Sequence, residues 1–201
     1  MLSSRLLSII CTAFGISMLA SHQGVHAIFP NDISIVVPTF QPVYDVTIIL
    51  VPNITQYFVP GPFGGRAFIG FLGGNLTNSS TGELEAEILP GVGGEFGILS
   101  ASNGKFYVDV SFALQWTDDQ TFAFVKQQGI GSQLRRSNII CHTYRSLHDS
   151  RMETNSASRQ GIAENVLLLS ILILTESSTP DGTIGYGRIF TKTSPDPTIS
   201  S

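Results

Sequence analysis

Five polar residues on strand-like segments are the candidates for chemistry in this chain: Asp109, Tyr107, Arg66, Glu87 and Glu85. Glu83, Glu85 and Glu87 alternate with Leu84, Ala86 and Ile88; Tyr107 and Asp109 alternate with Phe106, Val108 and Val110. Successive side chains of an extended chain point to opposite faces, so each run has one apolar and one polar face. If the polar faces line a closed interior, burial raises the carboxyl pKa values and a nearby Arg66 lowers them again. A buried carboxyl beside Tyr or Arg can shift a proton on a bound molecule or hold a developing cation. That chemistry suits a cofactor-free isomerase or cyclase acting on a polyketide or terpenoid, where shaping a flexible substrate supplies much of the rate. If the apolar faces line the interior instead, Phe106, Val108, Val110, Phe112, Leu114 and Trp116 fill it and the carboxylates are solvated. The sequence leaves both orientations open.

Other motifs carry less. His142 and His148 stand six apart, too few ligands for a metal site, and read as part of a solvated loop. Gly91-Val92-Gly93 opens no helix after a strand, so it is not a dinucleotide fingerprint. Ser100 and Ser102 have no nucleophile-elbow setting. No cofactor and no metal is implied.

The elements that must position the candidates are short strands between turns. Tyr44 to Val51 is rich in β-branched residues, and Phe106 to Trp116 is the longest alternating run. Strands are also expected over Arg66–Leu72, Glu83–Leu89, Glu95–Ser100, Thr121–Gln127, Val166–Leu174 and Gly182–Thr193. Gly73–Thr81 and Pro90–Gly94 read as turns, Asn103-Gly104 as a hairpin turn and Asp118-Asp119 as another. Regular strands without helical periods between them predict an all-β fold, a closed antiparallel barrel in a single domain. Residues 28–131 form its main portion, 166–193 its C-terminal strands and 194–201 a tail. Between them, residues 132–165 are rich in arginine and sustain neither period. They read as an irregular insert, either a disordered surface loop or a segment foreign to the native coding sequence.

Composition sets the compartment. Charged residues make up 13% of 201 residues, Gly and Pro number 20 and 10, and the formal net charge is −4. Nothing basic is clustered enough to propose a nucleic-acid partner. Residues 1–27 read as a signal peptide: Arg5 precedes an apolar run from Leu6 to Leu19, and Val25-His26-Ala27 precedes a cleavage point. The run is too short for a comfortable membrane span, so no membrane association is expected once the leader is removed. Asn53, Asn75 and Asn78 each open a glycosylation sequon, which agrees with a secreted, extracellular protein. Cys11 falls in the leader, so Cys141 is left without an internal disulfide partner.

Residues 64–131 resemble an uncharacterised family of small bacterial and fungal β-barrel proteins that share the barrel of allene oxide cyclase and plant dirigent proteins. The matching residues are Gly65-Arg66, Gly73-Gly74, Gly82-Glu83-Leu84, Leu89-Pro90-Gly91, Gly94-Glu95-Phe96, Gly104, Asp109, Asp118-Asp119 and Gly129. An Asp-Trp pair is usual in the family where Glu95-Phe96 stands here. A Phe-Glu-Thr element is usual near its end, echoed only by Leu174-Thr175-Glu176 or by Arg151-Met152-Glu153-Thr154. The resemblance implies an allene oxide cyclase-like or calycin-like barrel that could form a homo-oligomer through its outer face. The expected function is binding of a small hydrophobic molecule, as a cofactor-free isomerase or cyclase of secondary metabolism. The alternatives are a non-catalytic lipocalin-like carrier and an extracellular interaction protein.

Overall fold

The computed structural model describes residues 33–34, 36–52, 58–136, 139–196 and 198–199, with backbone alone for 33–34, 58, 133–136, 139–148, 174–179 and 198–199. The signal peptide and Asn53 lie outside the described residues. The chain divides into two compact units, 1–36 with 196–201, and 37–195. In the smaller, β1 (Ile33–Ser34) pairs antiparallel with β11 (Thr198–Ile199).

The larger unit is an antiparallel meander closed into a barrel. Its strands are β2 (Phe40–Leu50), β3 (Phe58–Gly61), β4 (Gly64–Asn78), β5 (Leu84–Ser100), β6 (Lys105–Trp116), β7 (Phe122–Arg136), β8 (Ile139–Thr154), β9 (Leu167–Thr179) and β10 (Gly182–Lys192). Consecutive strands from β4 to β10 are neighbours; β2 bonds to both β10 and β4, and so closes an eight-stranded cylinder among the described residues. β3 lies outside that count, paired with the first residues of β4. A single short helix among the described residues, α1 (Gln160–Ala163), follows a 3-10 turn over Ala157–Arg159.

The apolar faces point inward. Phe106, Val108, Val110, Phe112, Leu114 and Trp116 are all buried, as are Tyr44, Val46, Ile48 and Leu50 on β2. Burial of each such Val, Leu, Ile or Phe contributes about 1.5–3 kcal/mol, which decides the orientation over the few carboxylates that would otherwise be desolvated.

Two glycine-rich stretches expected to be turns are bends within strands. β4 runs on through Gly73-Gly74, and β5 runs through Pro90–Gly94 as a strand of 17 residues. Register shifts fall at both places, between Gly70 and Gly74 and between Ile88 and Gly93. A Cβ on Gly93 would sit 2.3 Å from the Ser111 carbonyl oxygen, and one on Gly74 2.1 Å from that of Thr47. These glycines let two backbones approach where the sheet coils into a barrel.

The arginine-rich segment is also corrected: residues 132–165 supply the end of β7, β8 and the helical turn. β8 pairs with β7 on one side and β9 on the other. Its period shows once the partners are known. Ser150 and Met152 are buried, whereas Asp149, Arg151 and Glu153 are exposed, so Arg151 lies on the solvated face of a strand.

Candidate functional site

The barrel interior holds one belt of polar residues. Residues directly opposite on paired strands share a face, with Cβ atoms about 5 Å apart. Ile69, Glu95, Val110, Gln127, Ser150, Leu167 and Thr191 are opposite one another in turn from β4 to β10. All are buried, and four of them are polar. Strands of a closed barrel tilt by about 35–45°, so the belt climbs around the wall. It starts deep in β5 at Glu95 and rises to Leu167, the first residue of β9.

The belt is unsatisfied. The Ser150 and Thr191 hydroxyls are buried without a hydrogen-bond partner among the described residues. Glu95 is 5% exposed, and burial pushes its carboxyl up to about 7 with no charged or hydrogen-bonding group among the described residues to offset it. An unpartnered carboxyl in an apolar wall can exist in both protonation states near neutrality, as a general acid or base requires.

The two halves of the barrel on either side of the belt differ. Toward α1 the interior carries Phe71, Ile88, Phe112, Leu114, Trp116 and Met152. Toward the other end β4 to β7 carry Ala67, Gly97, Val108, Gly129 and Gly131, with the Phe106 ring over Gly97, while β2, β9 and β10 carry Val46, Ile48, Leu50, Leu169, Ile171, Ile173 and Ile189. The first half is filled by large side chains. The second has a wall of small residues on β4 to β7 facing larger ones on β2, β9 and β10, and an eight-stranded barrel has room for one small ligand where side chains do not fill it.

The filled end is sealed by Arg159, which is 7% exposed. Its guanidinium lies 4.1 Å from the Trp116 ring centroid, donates to Glu85 Oε2 at 2.8 Å and to Asp118 Oδ1 at 3.0 Å. It also donates to the Ser156 and Ser158 hydroxyls. Burial pulls its pKa down, but the bonds to Glu85 and Asp118 outweigh that and raise it. Trp116 Nε1 donates to Thr154 Oγ1 at 2.9 Å, and Ser156 donates to Asp119 Oδ2 at 2.6 Å. Donation from Ser156 and Thr121 holds the Asp119 carboxyl down to about 2. Tyr44, whose ring centroid is 5.9 Å from that of Trp116, is raised by burial against the lowering effect of Arg159.

The five residues singled out in the sequence lie elsewhere. Asp109 faces outward, accepting from Gln128 Nε2 at 2.9 Å with Lys126 Nζ at 3.9 Å. Arg66, Tyr107 and Asp109 do meet, in an outer-surface hollow of about 500 Å³ that Phe68 and Phe96 also line. Glu85 belongs to the Arg159 cluster, and Glu87 is exposed. Their candidacy required the polar face inside; core burial places it outside. Asn75 sits within β4 and Asn78 ends it, donating through Nδ2 to Glu85 Oε1 at 3.1 Å. The side chains of Cys141, His142 and His148 lie outside the described residues. Among the described residues no group of three or more His, Cys, Asp or Glu is placed to hold a metal.

Sequence reasoning passed over Glu95, Gln127, Ser150, Thr191 and Arg159. One signal pointed to the first: Glu95-Phe96 is where the resembled family has Asp-Trp. A carboxylate followed by a large aromatic at the bend of β5 puts the carboxylate in and the ring out, and Phe96 is indeed 48% exposed.

The architecture defines the class as a closed antiparallel β-barrel, and solved structures share it. A protein with unknown function from Clostridium acetobutylicum ATCC 824 aligns with a TM-score of 0.59 at 15% identity, covering 80% of this chain and 100% of that one. A beta-barrel like protein from Acinetobacter baumannii AYE aligns with a TM-score of 0.59 at 16% identity, covering 80% and 99%. A conserved protein of unknown function from Rhodopseudomonas palustris aligns with a TM-score of 0.58 at 16% identity, covering 79% and 100%. No protein-family model and no curated protein matches the chain. At these identities the likeness is one of fold.

Proposed function

We propose that the barrel binds one small, largely apolar molecule in its interior and that Glu95 holds or moves a proton on it. The observation that carries this reading is the buried Glu95 carboxyl, without a partner among the described residues, beside a wall of small residues on β4 to β7. It supports the isomerase or cyclase reading better than the outward Asp109 does, and it suits the allene oxide cyclase and dirigent-like resemblance of residues 64–131. Secretion, supported by the leader-like residues 1–27 and the sequons at Asn53, Asn75 and Asn78, is part of the same proposal. A carrier is the second reading, favoured by the otherwise apolar interior.

Two probes test it on the purified chain. N-phenyl-1-naphthylamine should gain fluorescence saturably, at one site per chain, and Gly129→Leu should abolish the gain. No saturable gain in the wild type defeats the binding reading. The second probe is 5-nitrobenzisoxazole, in which a carboxylate base takes the proton from carbon as the N–O bond breaks, releasing a cyanophenolate. Turnover should rise as pH passes about 7 and vanish in Glu95→Gln. Dye binding without turnover leaves the carrier.

A further inference from the structure

Glu95 and Gln127 flank Val110 on one face of the sheet, two strands apart. Both have long polar side chains and Val110 a short apolar one, so the pair forms the walls of a notch with an apolar floor. The notch carries a carboxylate on one side and an amide on the other. Ser150, directly opposite Gln127 on β8, extends it with a hydroxyl that has no partner among the described residues. The described inward residues around Glu95 add no opposite charge: Ala67, Ile69 and Phe71 on β4, Val108, Val110 and Phe112 on β6, Val125 and Gln127 on β7. His148 stands at the register position opposite Gly129 and Leu169. Arg159 is committed to Glu85 and Asp118 at the sealed end.

Resting on the binding reading above, we infer that the ligand is an apolar amine, whose nitrogen sits over Val110 and donates to the Glu95 carboxylate and the Gln127 side-chain carbonyl. A protonated amine brings the missing positive charge, and charge-assisted hydrogen bonds are about twice as strong as neutral ones. A carboxylate head would instead place like charges together. An alcohol supplies one donor and no charge. The hydrocarbon body then extends into the half lined by Gly97, Gly129 and Gly131.

The test is competition for N-phenyl-1-naphthylamine by decylamine, decanol and decanoate, one body with three heads. It is run at about pH 8, where Glu95 is mostly ionised. Decylamine should displace the dye at concentrations at least about tenfold below decanol, with decanoate weakest. In Glu95→Gln, which removes the charged acceptor, the amine's advantage over decanol should disappear. Decanoate or decanol matching decylamine in the wild type overturns the inference and leaves the binding reading intact. So does an amine advantage that survives Glu95→Gln. Failure of the dye itself to bind overturns both.

Discussion

The two ends of the barrel are built on opposite terms. At the end closed by α1, Arg159 has a partner for its donors in Glu85, Asp118, Ser156 and Ser158, and Trp116 is held through Thr154. Around the polar belt and beyond it, the Ser150 and Thr191 hydroxyls have no partner among the described residues, burial shifts Glu95, and several neighbours are glycines. Buried polar groups are ordinarily satisfied, and leaving one unsatisfied costs about 1–3 kcal/mol. A molecule that tolerates this along the belt while pairing Arg159 and Trp116 at the sealed end has separated its anchor from its receptive wall. Stability should therefore respond to changes at the sealed end, and binding to changes at the belt.

The largest effect should come from Arg159→Leu. It takes the cation from partly buried Glu85 and from the face of Trp116, so urea unfolding should show a loss of about 3 kcal/mol. Dye affinity in the folded variant should change little; an equal loss of binding would erase the distinction between the ends.

Glu95→Gln should act in the opposite direction. The wild-type carboxyl is raised from 4.5 to about 7, so between those values the folded chain holds more protons than the unfolded one. Its contribution falls as pH rises through that window, by up to roughly 3 kcal/mol once Glu95 is ionised. Glu95→Gln should flatten this fall and stabilise the chain above about pH 7, seen as a higher urea midpoint. A wild-type curve with no fall across the window would show that Glu95 is satisfied after all. Asp119 works the other way: held low by Ser156 and Thr121, it stabilises above the ordinary carboxylate range, and that contribution is lost as pH falls toward 2. The smallest effect is expected from Asp109→Ala. Its pairing with Lys126 is exposed at 3.9 Å, so stability should move by less than about 0.5 kcal/mol and dye binding not at all.

The sequence disclosed the alternation of β6 because a polar or small residue follows each large apolar one from Phe106 to Leu114. The same rule failed beyond the bend of β5, where Gly93, Gly94 and Gly97 supply no side chain to mark a face and the bulky residue among them, Phe96, points outward. Glu95 was therefore visible as a letter but not as an interior group. β8 was hidden for another reason: its outward face carries Arg151 and Glu153, and Ser150 on the inward face is small and polar. Its period emerges only from pairing with β7 and β9. Arg159 gave no local sign, since its partners Glu85 and Asp118 stand 74 and 41 residues away.

The closing seam has a consequence for how the chain reaches this state. β2 precedes the rest of the barrel, yet one of its edges pairs with β10, whose register joins Leu50 to Thr183 and Phe40 to Lys192. Hairpins from β4 to β10 can zip in succession, each closing a short loop, but β2 has to wait for the last strand to emerge. Until then the ribosome-bound chain presents an open edge rich in Ile and Val, and an open edge invites pairing with other chains. In refolding followed by hydrogen exchange, the amides joining β2 to β10 should gain protection last, after those of the β6–β7 hairpin. The circle is thus a late kinetic event, and its least guarded moment falls between the emergence of β2 and that of β10.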